Sequence, residues 1–184
     1  LLSIGVKANS KLAAEAGVEV GETGAVKVNE KMETNIKDIY AAGDCAETKD
    51  LLTNKDVWVP LGSTANKQGR TAGANAVGGD SKHYGILKTG ITKIFDLTAA
   101  TTGLTLEEAE EADIDAVEVK IKARNHAGYY PGAEAVNLKG VFDRENGVIV
   151  GAEVIGGEGA DKRIDVLATA VYKRMSADEM FQVD

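Results

Sequence analysis

Gly43 and Asp44 are the residues whose types and position most clearly permit chemistry. They follow an apolar run, residues 39–42, which is typical of a strand buried on both faces. A central strand of an open α/β sheet delivers its last residues to the crevice where such sheets bind ligands. A glycine there lets another molecule approach the backbone, and an aspartate offers two acceptor oxygens to sugar-like hydroxyls. From these residues alone, a plain turn after the strand is the more frequent alternative.

The longer string around these two residues resembles a known cofactor motif. Residues 34–47 read T-N-I-K-D-I-Y-A-A-G-D-C-A-E. This string is similar to the second flavin-binding motif of the FAD-dependent pyridine nucleotide–disulfide oxidoreductases, in which a threonine precedes an apolar strand ending in Ala-x-Gly-Asp. In that family the aspartate contacts the ribityl chain of FAD. The resemblance therefore implies that Gly43 and Asp44 bind the cofactor.

A second segment of the first half resembles the same family. A helix is predicted to open near Ser63 or Thr64, either of which could cap it, and to run to about Ala76. Tight packing is predicted for its stripe of small residues at 65, 69, 72, 73 and 76. The free N–H groups at a helix start also favour partial negative charge. In the resembled family the A-N-K-Q-G-R segment points its helix start at the flavin pyrimidine edge, which places the amides around Thr64 and Ala65 there.

Two strings in the second half resemble the C-terminal dimerisation domain of this family. They are N-H-A-G-Y-Y-P-G at residues 125–132 and G-A-D-K-R-I-D at residues 159–165. The resemblance is closest to the coenzyme A disulfide reductases and the related NADH oxidases and NADH peroxidases. There the domain crosses a two-fold axis and lends side chains to the partner's active site. The resemblance therefore implies a homodimer.

The same resemblance implies a catalytic role for Tyr129 or Tyr130, near the partner's redox cysteine. A phenol can donate a hydrogen bond to a thiolate or act as a weak acid. From the residues alone, both tyrosines could instead pack at a dimer interface, where tyrosine is common. For His126 we expect structural hydrogen bonding.

The predicted fold class is α/β followed by α+β. Residues 1–79 are expected to be the C-terminal part of the FAD- and NAD-binding domains, and residues 80–184 a dimerisation domain with an antiparallel sheet. In the first part the patterns predict a buried strand at 2–6, a helix at 11–16 capped by Asn9 or Ser10, and a strand pair around the turn 21–24.

In the second part the patterns predict strands joined to three helices. Residues 90–102 are strand-like, residues 117–123 alternate as a half-exposed strand, and an Asn-Gly hairpin joins strands at 135–142 and 147–155. Capping boxes begin helices at Thr105 and Ser176, and a third helix begins at about Asp161. Its predicted apolar face is Ile164, Leu167, Ala168 and Val171. The G-G-E-G string at 156–159 is predicted to be a plain loop, since lysine occupies the third glycine position of a dinucleotide fingerprint.

Charge and composition exclude several classes of partner. The formal net charge of −8 argues against nucleic acid or an anionic membrane surface as the main partner. No apolar run is long enough for a transmembrane helix. The single cysteine, Cys45, cannot form an intrachain disulfide, which fits a reducing cytoplasm, and we expect it to be a small buried or half-buried thiol and not a nucleophile. With two histidines far apart in sequence, no metal site is expected.

Several parts of the resembled enzymes are missing from this sequence. It contains no G-x-G-x-x-G for the FAD pyrophosphate, no redox-active cysteine motif and no NADH-binding fold, and it ends before the family's Tyr-x-Pro-Pro segment. It begins inside a predicted strand. We therefore expect the C-terminal part of a flavoenzyme, inactive alone, whose parent moves hydride from NADH or NADPH to FAD.

The electron acceptor of that parent stays open at this point. The resemblance allows a small-molecule disulfide, a peroxide or oxygen, with coenzyme A disulfide favoured by the Tyr129-Tyr130 pair. The rival interpretation is a stand-alone association module without catalytic activity.

Overall fold

The computed structural model describes residues 4–183 of the chain. Their contacts separate two units, which divide between Ile86 and Leu87, and each unit is described by itself. Residues 80–86 belong to the first unit by these contacts, because Lys82 pairs with Glu30. The boundary between natural domains at residues 79 and 80 stays a prediction.

Helices and strands occupy a small part of the first unit as described. Helix α1 spans Lys11–Glu15, strands β1 (Thr48–Lys49) and β2 (Asp56–Val57) pair antiparallel, and helix α2 spans Gly62–Ala76. The prediction of α1 is confirmed, and Gly17 follows it at a φ of +86°. Ser10 takes the predicted N-cap position, but its side chain does not cap the helix. The Ser10 hydroxyl donates to the Gly24 carbonyl at 2.6 Å, and no side chain caps the helix.

The strand predicted at residues 39–42 is not formed. Tyr40 makes one isolated bridge to Glu33, and the Ile39 side chain is 41% exposed. The backbone of this segment bonds to residues just before it, with the Ala41 amide donating to the Met32 carbonyl at 3.1 Å. An apolar run becomes a strand only where a neighbouring strand pairs along it, and residues 4–183 place none there.

Two other strand regions predicted in the first unit are also not formed as continuous strands. Of the strand predicted at 2–6, the first two residues lie outside the described part, while Ile4 and Val6 are exposed and not in a strand. The strand pair around residues 21–24 is reduced to one bridge between Val20 and Val26. Val26 is nevertheless buried, since it also bridges Ala46 in parallel. This contact brings the chain before Gly43 and the chain after it into the core of the unit.

The second unit is built on a five-stranded antiparallel sheet. Its strands are β3 (Gly90–Ile94), β4 (Leu97–Gly103), β5 (Ala116–Arg124), β6 (Ala135–Asp143) and β7 (Ile149–Gly156). Their order across the sheet is β3-β4-β7-β6-β5. Its helices are α3 (Leu106–Glu110), α4 (Ala160–Lys173) and α5 (Ala177–Phe181). The α+β class and the antiparallel sheet are confirmed.

The local predictions for the second unit were mostly accurate. Thr105 and Ser176 complete capping boxes at α3 and α5, and the β6–β7 hairpin turns at the predicted Asn-Gly. Helix α4 packs the predicted face on the sheet. The core that it forms there consists of Ala100, Val136, Val154, Ala160 and Ile164, with Leu138 and Leu167 beside them.

Two strand predictions in this unit need correction. Residues 90–102 form two strands and not one, because the chain turns at Phe95, which takes a left-handed φ of 53°. Strand β5 does not alternate between buried and exposed side chains, since Val119 and Ile121 are 44% and 56% exposed. The reason is that β5 is an edge strand, while α4 packs on β4 and β7. Among the described residues, no helix is both long and apolar enough to cross a membrane.

Candidate functional site

The turn at Gly43 brings the predicted cofactor motif against helix α2. Residues Gly43–Cys45 form one turn of 3₁₀ helix, and Gly43 has a φ of 77°. A Cβ on Gly43 would lie 3.4 Å from the Ala65 Cβ, which is ordinary van der Waals contact. Glycine is therefore favoured here by the backbone conformation, and the turn packs directly on the first turns of the helix.

The Asp44 side chain is available to a ligand within this unit. The residue is exposed, and its carboxylate makes no hydrogen bond or ion pair with any of residues 4–183. Its backbone is fixed, because the Trp58 indole N–H donates to the Asp44 carbonyl at 2.8 Å. A held backbone with a free carboxylate offers two acceptor oxygens at a defined place, which is what a sugar hydroxyl or another neutral donor needs.

Gln68 holds this turn, and the sequence analysis did not identify it. Its side chain is fully buried, with Oε1 accepting from the Gly43 amide at 2.7 Å and Nε2 donating to the Glu47 carbonyl at 3.0 Å. One amide group therefore ties both ends of the segment that carries Asp44 to helix α2. Because the Gln68 side chain is shielded from water and makes both bonds, the segment is expected to be rigid.

The buried face of α2 is polar, which corrects the packing prediction. The buried residues are Thr64, Gln68, Thr71 and Asn75, spaced as one helical stripe. Of the small residues predicted to pack tightly, Gly69 and Gly73 are exposed, with open space where a Cβ would project. The stripe of polar residues was the signal available in the sequence. This polar stripe is the side of α2 that contacts the turn at Gly43.

The start of α2 presents free amides, although not all of those expected. The helix begins at Gly62, and neither Ser63 nor Thr64 caps it. The Ala65 amide donates to the Leu61 carbonyl at 2.9 Å and is already used. Among the described residues, nothing accepts from the amides of 62–64, which leaves three donors at the positive end of the helix dipole.

Two neighbouring groups support the turn from its far side. Cys45 is half-buried, as expected, with its Sγ 3.4 Å from the Ala42 carbonyl oxygen. Glu47 is buried, and its carboxylate accepts from the Thr23 hydroxyl at 2.6 Å. Gly21 lies so close to that carboxylate that any side chain there would collide with it. The segment after Asp44 is therefore packed on both sides.

A cavity of about 370 Å³ in the first unit is lined in part by Glu47 and His83. The His83 ring Nε2 is 3.0 Å from the Thr48 hydroxyl. Burial lowers the pKa of His83, and the charge of Lys67 adds to this effect, so the ring is neutral at pH 7. Within residues 4–183, no three His, Cys, Asp or Glu side chains are grouped so that they could hold a metal ion.

The two tyrosines lie on an exposed loop of the second unit, residues 125–134, between β5 and β6. Tyr129 is 86% and Tyr130 61% exposed. Their ring centroids are 5.2 Å apart, and the His126 ring meets Tyr130 edge-on at 6.1 Å. Within this unit the phenol groups point to no packed interior, and they are available to a partner molecule.

The base of this loop is closed by hydrogen bonds. The Asn125 amide donates to the Glu134 carbonyl, and the Glu134 amide donates to the Asn125 Oδ1, both at 2.9 Å. Arg163 of α4 reaches the same place, with Nη2 donating to the Asn125 carbonyl at 2.8 Å. In the sequence, Arg163 stands out only as part of the string G-A-D-K-R-I-D that resembles the family. Its contact with the loop could not be read from the string itself.

Family models match both parts of the chain. The model of the pyridine nucleotide-disulphide oxidoreductases matches residues 1–69, and the model of their dimerisation domain matches residues 89–183, which is more than half of the chain. The chain belongs to the pyridine nucleotide-disulphide oxidoreductase family. This confirms the family that was predicted from residues 34–47 and 125–132, and it confirms that the second half carries a dimerisation domain.

The curated relatives of this chain are oxidoreductases whose names give different substrates. The NAD(P)H sulfur oxidoreductase (CoA-dependent) of Pyrococcus furiosus is 41% identical over 184 residues, which is 100% of this chain. The NADH oxidase of Methanocaldococcus jannaschii is 39% identical over the same length. The coenzyme A disulfide reductase of Staphylococcus aureus is 35% identical over 182 residues, or 98% of this chain. The chain spans 41% of the length of each of these relatives.

Solved structures of the family support the fold. The NAD-dependent persulfide reductase from A. fulgidus matches 98% of this chain and 34% of its own, with 42% identity and a TM-score of 0.94. An FAD-dependent pyridine nucleotide-disulphide oxidoreductase from Desulfovibrio vulgaris matches 96% of this chain and 42% of its own, with 33% identity and a TM-score of 0.80.

Proposed function

We propose that this chain supplies part of the FAD site and the dimerisation surface of an NAD(P)H-dependent flavoprotein that reduces a small disulfide or persulfide. The observation that carries the proposal is the turn at Gly43–Cys45, which holds the free Asp44 carboxylate beside the start of α2. The names of the relatives support it, since they include a CoA-dependent sulfur oxidoreductase and a coenzyme A disulfide reductase.

The residues at this turn fit a flavin. The Asp44 oxygens can accept hydrogen bonds from the hydroxyls of the ribityl chain, while Gly43 and Ala65 leave the adjacent surface without bulky side chains. The free amides of 62–64 can donate to a flavin edge that gains negative charge, and Thr64 is buried at that point. A bound FAD would supply the chemistry that accepts hydride from NADH or NADPH and passes electrons onward.

For the exposed loop of residues 125–134, we propose that one of its two tyrosines has a catalytic role. Tyr129 or Tyr130 of one protomer would donate a hydrogen bond to a thiolate in the partner's active site of a homodimer. The exposure of both rings supports this role, since a phenol engaged in its own unit could not serve a partner. Single substitutions, Tyr129→Phe and Tyr130→Phe, distinguish which of the two tyrosines acts.

Among electron acceptors we propose a coenzyme A disulfide or persulfide ahead of peroxide or oxygen. The CoA-containing names of two curated relatives favour this class, whereas the NADH oxidase favours oxygen. We also propose the cytoplasm as the site of action, because the one cysteine of the chain is a free thiol. The rival association module gains no support from the family match to residues 1–69, which lies outside the dimerisation domain.

The test is flavin binding by the full-length gene product carrying Asp44→Ala or Asp44→Asn. Losing a hydrogen bond to a charged group costs about 1.5–3 kcal/mol, so Asp44→Ala is expected to weaken FAD binding by about tenfold or more. Asp44→Asn keeps one acceptor oxygen and should lose less. Titration of the deflavinated protein measures both.

The matched control for this test is Asp38→Asn, at an exposed aspartate of the same unit. It should leave the affinity for FAD unchanged. An Asp44→Ala protein that binds FAD as tightly as the parent would refute the role of the carboxylate.

A further inference from the structure

Arg163 connects two elements of the second unit through its guanidinium group. Nη1 donates to the Gly159 carbonyl at 2.9 Å, at the start of α4. Nη2 donates to the Asn125 carbonyl at 2.8 Å and lies 3.5 Å from the Arg124 carbonyl oxygen. Arg163 is half-buried and forms no ion pair with the described residues, so its charge is directed at backbone carbonyls.

The bonds from Arg163 connect the loop of residues 125–134 to helix α4. In the part of the chain that the structure describes, the loop of residues 125–134 is otherwise held by hydrogen bonds of its own residues and by Arg124 of the adjoining strand. The bonds within the loop are the closing pair, the Tyr130 amide donating to the Ala127 carbonyl, and the contact of His126 Nδ1 with the same carbonyl. Arg163 donates the hydrogen bonds that tie the loop to another element. Without them, only contacts within the loop and its flanking strands would set the direction of the loop.

The chemistry of arginine suits this task better than that of lysine. The guanidinium is a planar fork with five donors, so it can serve carbonyls of two different segments at once. A lysine ammonium is a single point on a flexible stem and cannot occupy both donor positions. Gly159 also fits the arrangement, since a Cβ there would lie 2.9 Å from Arg163 Nη1, and its φ is +85°. The close approach and the backbone conformation both favour glycine.

We propose that Arg163 is a positioning residue, which holds the loop of residues 125–134 so that Tyr129 and Tyr130 face the reacting group of the partner. The proposal rests on the proposed function of the two tyrosines. Arg163 itself lies at the base of the loop and acts through the backbone of Asn125. It sets the direction of the loop, while the phenol groups make the contact.

Two measurements on the full-length gene product test this proposal. The first is amide hydrogen exchange in Arg163→Gln, Arg163→Lys and the control Lys162→Gln, at an exposed neighbour on the same helix. In Arg163→Gln the bonded loop amides of Asn125, Tyr130 and Glu134 should exchange at least about tenfold faster, with α4 and β6 amides unchanged. Arg163→Lys should give an intermediate effect, and Lys162→Gln none.

The second measurement is steady-state turnover, with the same substitutions made in the parent and in a Tyr129→Phe, Tyr130→Phe background. In the parent, kcat for the disulfide should fall about tenfold in Arg163→Gln, with the KM for the nicotinamide unchanged. In the background without the phenol groups, Arg163→Gln should cause no further fall, because the two changes act on the same step.

Different outcomes would refute the positioning role of Arg163 and the catalytic role of the two tyrosines. Unchanged loop exchange in Arg163→Gln overturns the inference, as does an equal fall in kcat with and without the phenol groups. Full activity of the Tyr129→Phe, Tyr130→Phe protein refutes the role of the tyrosines instead. If Arg163→Gln fails to fold, Arg163→Lys still has to show faster exchange at the three loop amides.

Discussion

The turn that carries Asp44 and the loop that carries Tyr129 and Tyr130 are held in different ways. The turn is tied at both ends by the fully buried Gln68 side chain, which shields those bonds from much of the competition by water. The loop is tied at its base by Arg163, and its tip is exposed. The difference indicates a prearranged site for a resident group in the first case, and a segment that completes its contacts with a partner in the second.

The largest expected effect is on the prearranged turn. Gln68→Leu leaves the Gly43 amide and the Glu47 carbonyl without partners, so the free energy of unfolding should fall by about 2–4 kcal/mol. Urea unfolding of the full-length gene product measures this loss. Lys67→Gln, at an exposed neighbour on α2, serves as the control and should change the stability by less than about 0.5 kcal/mol. An equally small loss for Gln68→Leu would show that the turn does not depend on this clamp.

Two glycines allow the turn and the loop to be compared by the same substitution. Gly43 and Gly132 both have left-handed φ values, 77° and 81°, and neither has a neighbour too close for a Cβ. Alanine at either position should therefore cost about 1–2 kcal/mol of stability through backbone strain alone.

Flavin affinity should nevertheless distinguish the two glycine variants. Gly43→Ala is expected to weaken FAD binding, since the methyl group enters the surface beside Asp44, while Gly132→Ala leaves FAD affinity unchanged. Fluorescence titration with FAD measures both. If both variants bind FAD like the parent, or both lose it equally, the two regions do not differ as described.

The smallest expected effect is the change of stability with pH that the buried His83 causes in the first unit. Burial lowers the pKa of His83 in the folded state, with Lys67 adding to the shift. Between the lowered folded pKa and the ordinary value near 6.5, the unfolded chain binds more protons, so stability should fall as pH drops below about 6.5. Below the folded pKa the loss levels off. Urea midpoints at several pH values measure this dependence.

The variant His83→Gln keeps a side chain that can bond Thr48 but does not titrate in this range. Its urea midpoint should depend less on pH than that of the parent between pH 5 and 7. The charged groups that line the same cavity remain in the variant, and they are Glu30, Glu47, Lys49 and Asp56. An unchanged pH dependence in His83→Gln would assign the effect to those groups.

Predictions that depend on local rules were accurate in much of the second unit, whereas no side chain caps α1 or α2 as predicted. Capping boxes at Thr105 and Ser176, and the hairpin at Asn146-Gly147, follow from residues that satisfy each other within a few positions. The apolar face of α4 was also predicted, because helical spacing alone decides it. By contrast, the turn at Phe95 lacks the glycine or asparagine that usually marks a two-residue hairpin turn, and the sequence did not indicate it.

Predictions that depend on distant partners were less complete. The apolar run at residues 39–42 indicates burial but does not reveal whether another strand pairs with it. Gln68 and Arg163 were missed because each acts on the backbone of a segment 21 or more positions away. Asp44 was a candidate from its type and position alone, but a plain turn was the more frequent alternative there. It was assigned to a flavin only because the whole string of residues 34–47 resembles a known motif.

The most direct test of the central claim is a crystal structure of the full-length gene product with FAD bound. We expect an Asp44 carboxylate oxygen about 2.6–3.2 Å from a hydroxyl of the ribityl chain, with the start of α2 facing the isoalloxazine ring. An FAD molecule bound elsewhere, with the Asp44 side chain directed to solvent, would contradict it.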